Sequence, residues 1–272
     1  MLLVTGADFT HGASLRQLLA SVRRHEPDMS VVVYDLSFTA RQRRRIGNRC
    51  QLEWRRFEFE NYPAHFYMRV KAGEFAWKPV ILWDLLKDAS QPVCWMDAGN
   101  VLTGPLTVLR ATIRNSGFYS PLSPGTILDW THPKMLAYFG VDADWARDKP
   151  NLNGACVVFD PSFEPARELA RRWREGAMIK ECIAPEGSDR KNHRQDQALL
   201  SVLAHLMGLF PQSEQSRLGF RVQQDIDGLR NPTLFRLQRS LKRFLFPRGV
   251  PPALKKLRAS LRSNPADRPR VI

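Results

Sequence analysis

FAWKPVILWDLLKDASQPVCWMDAGNVLTGPL, from Phe75 to Leu106, contains a helix, a turn, an apolar strand and a lone acid where the strand stops. Pro79 suits the first helical position, and Val80, Ile81, Leu82, Leu85 and Leu86 give the helix an apolar face. Gln91-Pro92 interrupts the pattern. Val93-Cys94-Trp95-Met96 is then a buried strand that ends at Asp97-Ala98-Gly99-Asn100. Open α/β sheets bind ligands outside the carboxyl ends of their strands, and that rule puts Asp97 where chemistry is expected.

Upstream, Leu2-Leu3-Val4-Thr5 is an apolar strand ending at Gly6-Ala7-Asp8, and a helix follows with Ser14 as its cap and Leu15, Leu18, Leu19 and Val22 inward. Val31 to Tyr34 is a second strand, also ending in an acid, Asp35. Ala40 to Ile46 is a basic helix, and Leu52 to Phe59 alternates as a third strand. Downstream, Leu106 to Asn115 is helical and Gly117 to Tyr119 extended. Residues 120–131 read as a loop, and Lys134 to Phe139 as a helix. Asn151-Leu152-Asn153-Gly154 precedes the strand Ala155 to Phe159. Phe163 to Ile179 and Ala198 to Leu206 are helices, the second introduced by Asp196-Gln197. This alternation predicts an α/β fold with a mostly parallel central sheet flanked by helices.

The charge is unevenly spread. Residues 230–272 hold 12 of the 41 Lys and Arg against a single acid, Asp267, while the rest carries 29 bases and 26 acids. The expected organisation is therefore one domain over 1–229 and a basic helical tail over 230–272, its end disordered. The tail places Leu234, Leu237, Leu241, Phe244 and Leu245 within a frame of Arg and Lys, a pattern suited to an anionic membrane surface. Residues 231–262 are the expected contact. A nucleic-acid partner is not expected, because the balanced part carries no nucleic-acid-binding motif. No apolar run approaches the roughly 18 residues of a membrane span. The amino terminus has no signal-peptide pattern, and Cys50, Cys94, Cys156 and Cys182 are scattered without metal-binding spacing. These features predict a cytoplasmic protein, peripheral on the inner face of a membrane.

Four signatures stand in order at element ends: the opening TGAD, Asp97 with Asn100, Asn153-Gly154, and Asp196-Gln197. As an ordered set across residues 1–210 they resemble the GT-A type of nucleotide-diphospho-sugar glycosyltransferase, nearest to the family of glycogenin and the bacterial lipopolysaccharide galactosyltransferases. The resemblance implies a Rossmann-like GT-A domain that moves a hexose from a nucleotide-diphosphate sugar to a glycan or lipid-linked acceptor, as in cell-surface polysaccharide or lipopolysaccharide synthesis. It implies that Thr5, Asp8 and Asp35 hold the nucleoside, and that Lys78 and Asp97 handle the diphosphate. Asn153, Gly154, Asp196 and Gln197 would line the sugar and acceptor side, with Asp97 and Asp196 as the catalytic pair. A divalent cation, Mn²⁺ or Mg²⁺, is implied at Asp97. The family's second acid is Gly99 here, which leaves Asn100, His193 or His132 to complete the ligands, or Arg69, Lys71, Lys78 and Arg194 to carry the leaving group's charge instead. That departure also defines the alternative of a catalytically silent nucleotide-sugar-binding or scaffold protein on the same fold. Trp130 and Trp145 are candidate sugar platforms.

Overall fold

Why the central strands stack as they do follows from their side-chain alternation. In the computed structural model, β1 (Leu2–Ala7), β2 (Val31–Asp35), β3 (Leu52–Arg56) and β4 (Val93–Met96) are joined by helices α1 (Gly12–His25), α2 (Ala40–Ile46) and α3 (Trp77–Leu86). Successive side chains of a strand point to opposite faces. Leu3, Val31, Val33, Cys94 and Met96 therefore meet α1 in one core, and Val4, Val32, Tyr34, Val93 and Trp95 meet α3 in the other. Strands buried on both sides need a continuous apolar sequence, which is what VVVY and VCWM supply.

The structure describes residues 1–46, 52–210 and 218–227, all within the compact unit Met1–Asp227. The expected tail over 230–272, its membrane contact at 231–262, and Cys50 lie outside the described residues. No helix among the described residues is long and apolar enough to cross a membrane.

The remaining elements are β5 (Val101–Leu102), α4 (Thr107–Ser116), β6 (Phe118–Tyr119), β7 (Leu122–Thr126), α5 (Ile127–Trp130), α6 (Pro133–Tyr138), α7 (Ala143–Ala146), β8 (Pro150–Leu152), β9 (Cys156–Phe159), α8 (Glu164–Met178), α9 (Lys180–Ile183), α10 (Gln195–Leu206) and β10 (Phe220–Arg221). The central sheet runs β3-β2-β1-β4-β9-β6. The β1–β2, β2–β3 and β1–β4 pairs are parallel, whereas β9 is antiparallel to both β4 and β6. The sheet is thus α/β and mostly parallel, as expected. Its chain order reverses between β1 and β4, and such a switch point leaves a crevice at the strands' carboxyl ends.

Several local expectations need correction. Ser14 lies inside α1, not at its cap; the carboxylate of Asp227 accepts from the backbone N–H groups of Ala13 and Ser14, at 2.8 and 2.9 Å. Residues 120–131 contain β7 and α5 rather than a loop, α5 being closed by a capping box between Thr126 and Asp129. Pro79 stands third in α3. That helix is buried nearly all round, so it is a core helix more than an amphipathic one.

Candidate active site

Asp97 follows β4 directly, and its position is locked from three directions. Its backbone N–H donates to Ala155 O at 2.8 Å, and its own carbonyl accepts from Asn100 N–H at 2.8 Å. Trp95, two residues earlier and so on the same face, donates its indole N–H to Asp97 Oδ1 at 2.6 Å. Gly6 in the neighbouring strand makes room for this arrangement, because a β-carbon there would lie 3.0 Å from the Trp95 ring.

Lys78 reaches the same carboxylate from the first turn of α3. Its ammonium lies 3.1 Å from Asp97 Oδ1, 2.9 Å from Asp196 Oδ2 and 3.0 Å from Gly154 O, with its side chain only 4% exposed. Burial alone would push its pKa down, but Asp196 and Asp97 outweigh it and hold the amine charged. Lys78 thus bridges two of the acids marked in the sequence. Its charge is already committed to them, so its main effect on a ligand runs through where it holds Asp97.

Gly154 keeps this packing close: a β-carbon would sit 3.1 Å from Asp196 Oδ2, so that the carboxylate would have to give by a few tenths of an ångström, and 3.6 Å from Lys78 Nζ. Asn153 turns the chain into β9, its Oδ1 accepting from Ala155 N–H at 3.0 Å. Asp196 is the second residue of α10, behind the N-cap Arg194, and is itself buried. Gln195, just ahead of it, adopts φ 34° and donates to the buried Glu74 at 3.1 Å. Glu74 belongs to a run of left-handed residues, 71–75, that leads into α3. Left-handed backbone costs non-glycine residues roughly 1–2 kcal/mol each, so the surrounding packing holds strain where the site is built.

Two chambers meet at this point. One, of about 320 Å³, is lined by Asp8, His11, Asp97, Gly99, Asn100 and Asp225, with Leu36, Met68 and Trp77 as apolar wall. The other, of about 300 Å³, is lined by Lys78, Trp130, Asn153, Gly154, Asp196 and Gln197. Asp97, Phe75, Ala155, Arg190 and Gln223 border both. Asp8 is hydrogen-bonded to His11 at 2.7 Å; that bond raises the His11 pKa and, against burial, lowers that of Asp8.

The other marked residues fall elsewhere. Thr5 is buried in β1, and Asp35 caps Phe38 N–H at 2.6 Å and pairs with Arg43; neither lines the chambers. His193 is no ligand candidate, contrary to expectation. Its Nε2 bonds Ile183 O at 2.8 Å, its Nδ1 accepts from His132 N–H at 3.2 Å, and burial pushes its pKa down to about 4. His132 caps α6. Arg69 lies over Tyr67, and Lys71 bonds Ser188 O, so neither borders the chambers. Trp130 does, beneath the guanidinium of Arg194 at 4.2 Å, whereas Trp145 packs against Lys149 and His205. Sequence reasoning missed Arg190, which lies 5.4 Å over the Phe75 ring and borders both chambers. It also missed Asp225. Neither carries a periodic or motif signal that would have marked it.

Among the described residues, no group of three His, Cys, Asp or Glu side chains is placed to hold a metal ion. In comparison with known proteins, a family model described as a protein of unknown function (DUF1647) matches residues 1–83. No curated protein matches the chain. Among solved structures, the chain is similar to the galactosyltransferase LgtC in complex with donor and acceptor sugar analogues, at 16% identity and TM-score 0.48, over 75% of this chain and 70% of that one. It is also similar to the bifunctional glycosyltransferase WbbM in its apo form, at 14% identity and TM-score 0.48, over 75% of this chain and 37% of that one.

Proposed function

We propose that this protein is a glycosyltransferase of the GT-A type, transferring a sugar from a nucleotide-diphosphate donor to an acceptor hydroxyl. The observation that carries the reading is the pair of chambers joined at Asp97, at the switch point of the sheet. A nucleotide sugar has two unlike halves linked by a diphosphate, and the cleft has the same plan.

The chamber with Asp8, His11 and the apolar wall suits the nucleoside, with the Asp8 carboxylate accepting from base or ribose. The chamber with Asn153, Gly154, Asp196 and Gln197 suits the sugar, whose hydroxyls need buried donors and acceptors. Arg190 borders both, where a diphosphate bridging them would lie, and guanidinium groups match phosphate oxygens well. In transfer, the bond between the anomeric carbon and the phosphate oxygen breaks, and its electron pair leaves with the nucleoside diphosphate. A bond from the acceptor oxygen forms, and the acceptor's proton passes to a base. Stabilising the departing negative charge is the step the protein can most influence. Arg190 does so directly, and Lys78 offsets the negative charge of the Asp97 and Asp196 carboxylates that stand beside the diphosphate's place.

A divalent cation fits the same place. Asp97 and Asn100 offer hard oxygen donors, and Mg²⁺ or Mn²⁺ commonly combines one or two carboxylates with substrate phosphate oxygens. Bound there, it would add positive charge against the diphosphate.

Thermal stabilisation by a panel of nucleotide sugars tests the reading. One donor should raise the unfolding temperature in wild type, and much less so in Arg190→Ala. No stabilisation by any member would count against it. For the basic tail, we propose contact with an anionic membrane; deleting residues 231–272 should release the protein from anionic liposomes, and unchanged sedimentation would refute that.

A further inference from the structure

The Asp97 turn lacks a second acid because position 99 is glycine, yet the structure does not leave that space empty. A β-carbon added at Gly99 would lie 2.5 Å from Asp225 Cγ and collide with both of its carboxylate oxygens. The volume that a side chain at 99 would use is taken by an aspartate from the far end of the described chain.

Asp225 is brought there by two anchors. Before it, Gln224 donates its backbone N–H to Gly99 O, and Gln224 O accepts from the side chain of Gln17 at 2.8 Å. After it, Ile226 N–H donates to Ser14 Oγ at 3.0 Å, and Asp227 caps α1. Gln224, Ile226 and Asp227, on either side of Asp225, therefore tie the strap to the Asp97 turn and to α1. The Asp225 side chain itself is exposed, and its carboxylate accepts no hydrogen bond among the described residues.

A second observation points to a ligand at the same spot. Asn100 is fully buried, its Nδ2 donates to Ala155 O at 2.6 Å, and its Oδ1 has no hydrogen-bond partner among the described residues. Asn100 walls the same chamber as Asp97 and Asp225. An orphaned buried amide oxygen is costly unless something meets it. Asp97 meanwhile spends its Oδ1 on Trp95 and Lys78, and among the described residues no hydrogen bond or ion pair occupies its Oδ2.

We propose that Asp225 replaces the missing second acid from outside the turn, so that Asp97, Asp225 and Asn100 Oδ1 form an all-oxygen site for a divalent cation of the Mg²⁺ or Mn²⁺ kind. Gly99 is the complementary change: it vacates the space that the Asp225 carboxylate needs. The site deepens the glycosyltransferase reading and rests on it for its purpose, but its existence is separately measurable. Cations of this kind usually combine a few protein oxygens with water and substrate phosphate oxygens, so three protein donors would suffice.

The test is Mn²⁺ binding to the full chain without nucleotide, followed by loss of the free-ion electron paramagnetic resonance signal. Asp225→Asn should weaken Mn²⁺ binding about tenfold or more. Gly99→Ala keeps every acid yet displaces Asp225, and should weaken binding in the same direction. Both variants should unfold at nearly the wild-type denaturant midpoint, since Asp225 is exposed and its side chain can swing aside. Unchanged Mn²⁺ affinity in both variants overturns the proposal, as does a wild-type protein that binds no Mn²⁺. In that second case, stabilisation by a nucleotide sugar without metal would leave the glycosyltransferase reading standing.

Discussion

On one side of Asp97, charge is buried and matched: Lys78 is 4% exposed and touches Asp97, Asp196 and a backbone carbonyl. On the other side, charge is open and unmatched, with Asp225 exposed and Asn100 Oδ1 orphaned in the wall. The first arrangement is one a protein makes for itself, since a buried ammonium must have its partners to exist. The second is completed by something from outside. The difference separates parts of the site that build the cleft from parts that bind in it. Substitutions on the matched side should therefore be read in stability, and those on the open side in binding.

Lys78→Met is the strongest way to break the contrast. It leaves the buried Asp196 carboxylate without its cation and beside the half-exposed Asp97, and should cost about 3–5 kcal/mol in denaturant unfolding. A loss as small as that of a surface change would mean Lys78 is not the organiser described.

Acid should act next, at a buried histidine outside that ion cluster. His193 has a folded pKa near 4 because burial disfavours its charged form, against about 6.5 unfolded. The unfolded chain thus binds a proton that the folded one refuses. Stability should fall as pH drops from 6.5 towards 4, by about 3 kcal/mol from this group. A non-titrating His193→Asn variant should show a correspondingly flatter profile between those limits.

Gly154→Ala sharpens the comparison more gently. Its methyl would press on Asp196, so a loss of about 1–3 kcal/mol is expected, against nearly none for Gly99→Ala, whose neighbour can swing into solvent. Equal losses would show that the two glycines do the same job. Smallest is the Asp8–His11 pair. Its hydrogen bond raises the His11 pKa, so any stability from it is present below pH 6.5 and fades as pH rises through the folded value. Asp8→Asn should return the His11 titration, followed by nuclear magnetic resonance, towards the ordinary histidine value.

Most of the scaffold was legible in the sequence because it rests on local periodicity. VVVY and VCWM announce strands buried on both faces, and Leu15, Leu18, Leu19 and Val22 announce a helix face. Asp97, Asn153, Gly154 and Asp196 were legible as polar residues at the ends of such elements, and the structure brings all four together. What escaped depends on contacts between distant segments. Nothing near Cys156 tells that β9 runs antiparallel to β4, and nothing near Gly99 tells that Asp225 fills its space. His193 and Asp35 look like site residues in sequence because a polar group beside an apolar run is ambiguous. Backbone hydrogen bonds claim His193, while Phe38 N–H and Arg43 claim Asp35.

The central claim is that a nucleotide-diphosphate sugar lies across both chambers with its diphosphate at Asp97. It is tested most directly by the release of nucleoside diphosphate from a panel of nucleotide sugars, with Mn²⁺ present, by wild type and Asp97→Asn. Turnover of at least one donor by the wild type is predicted, slowed about a hundredfold or more in the variant. A wild type that turns over none of them, or a variant that matches it, would contradict the account.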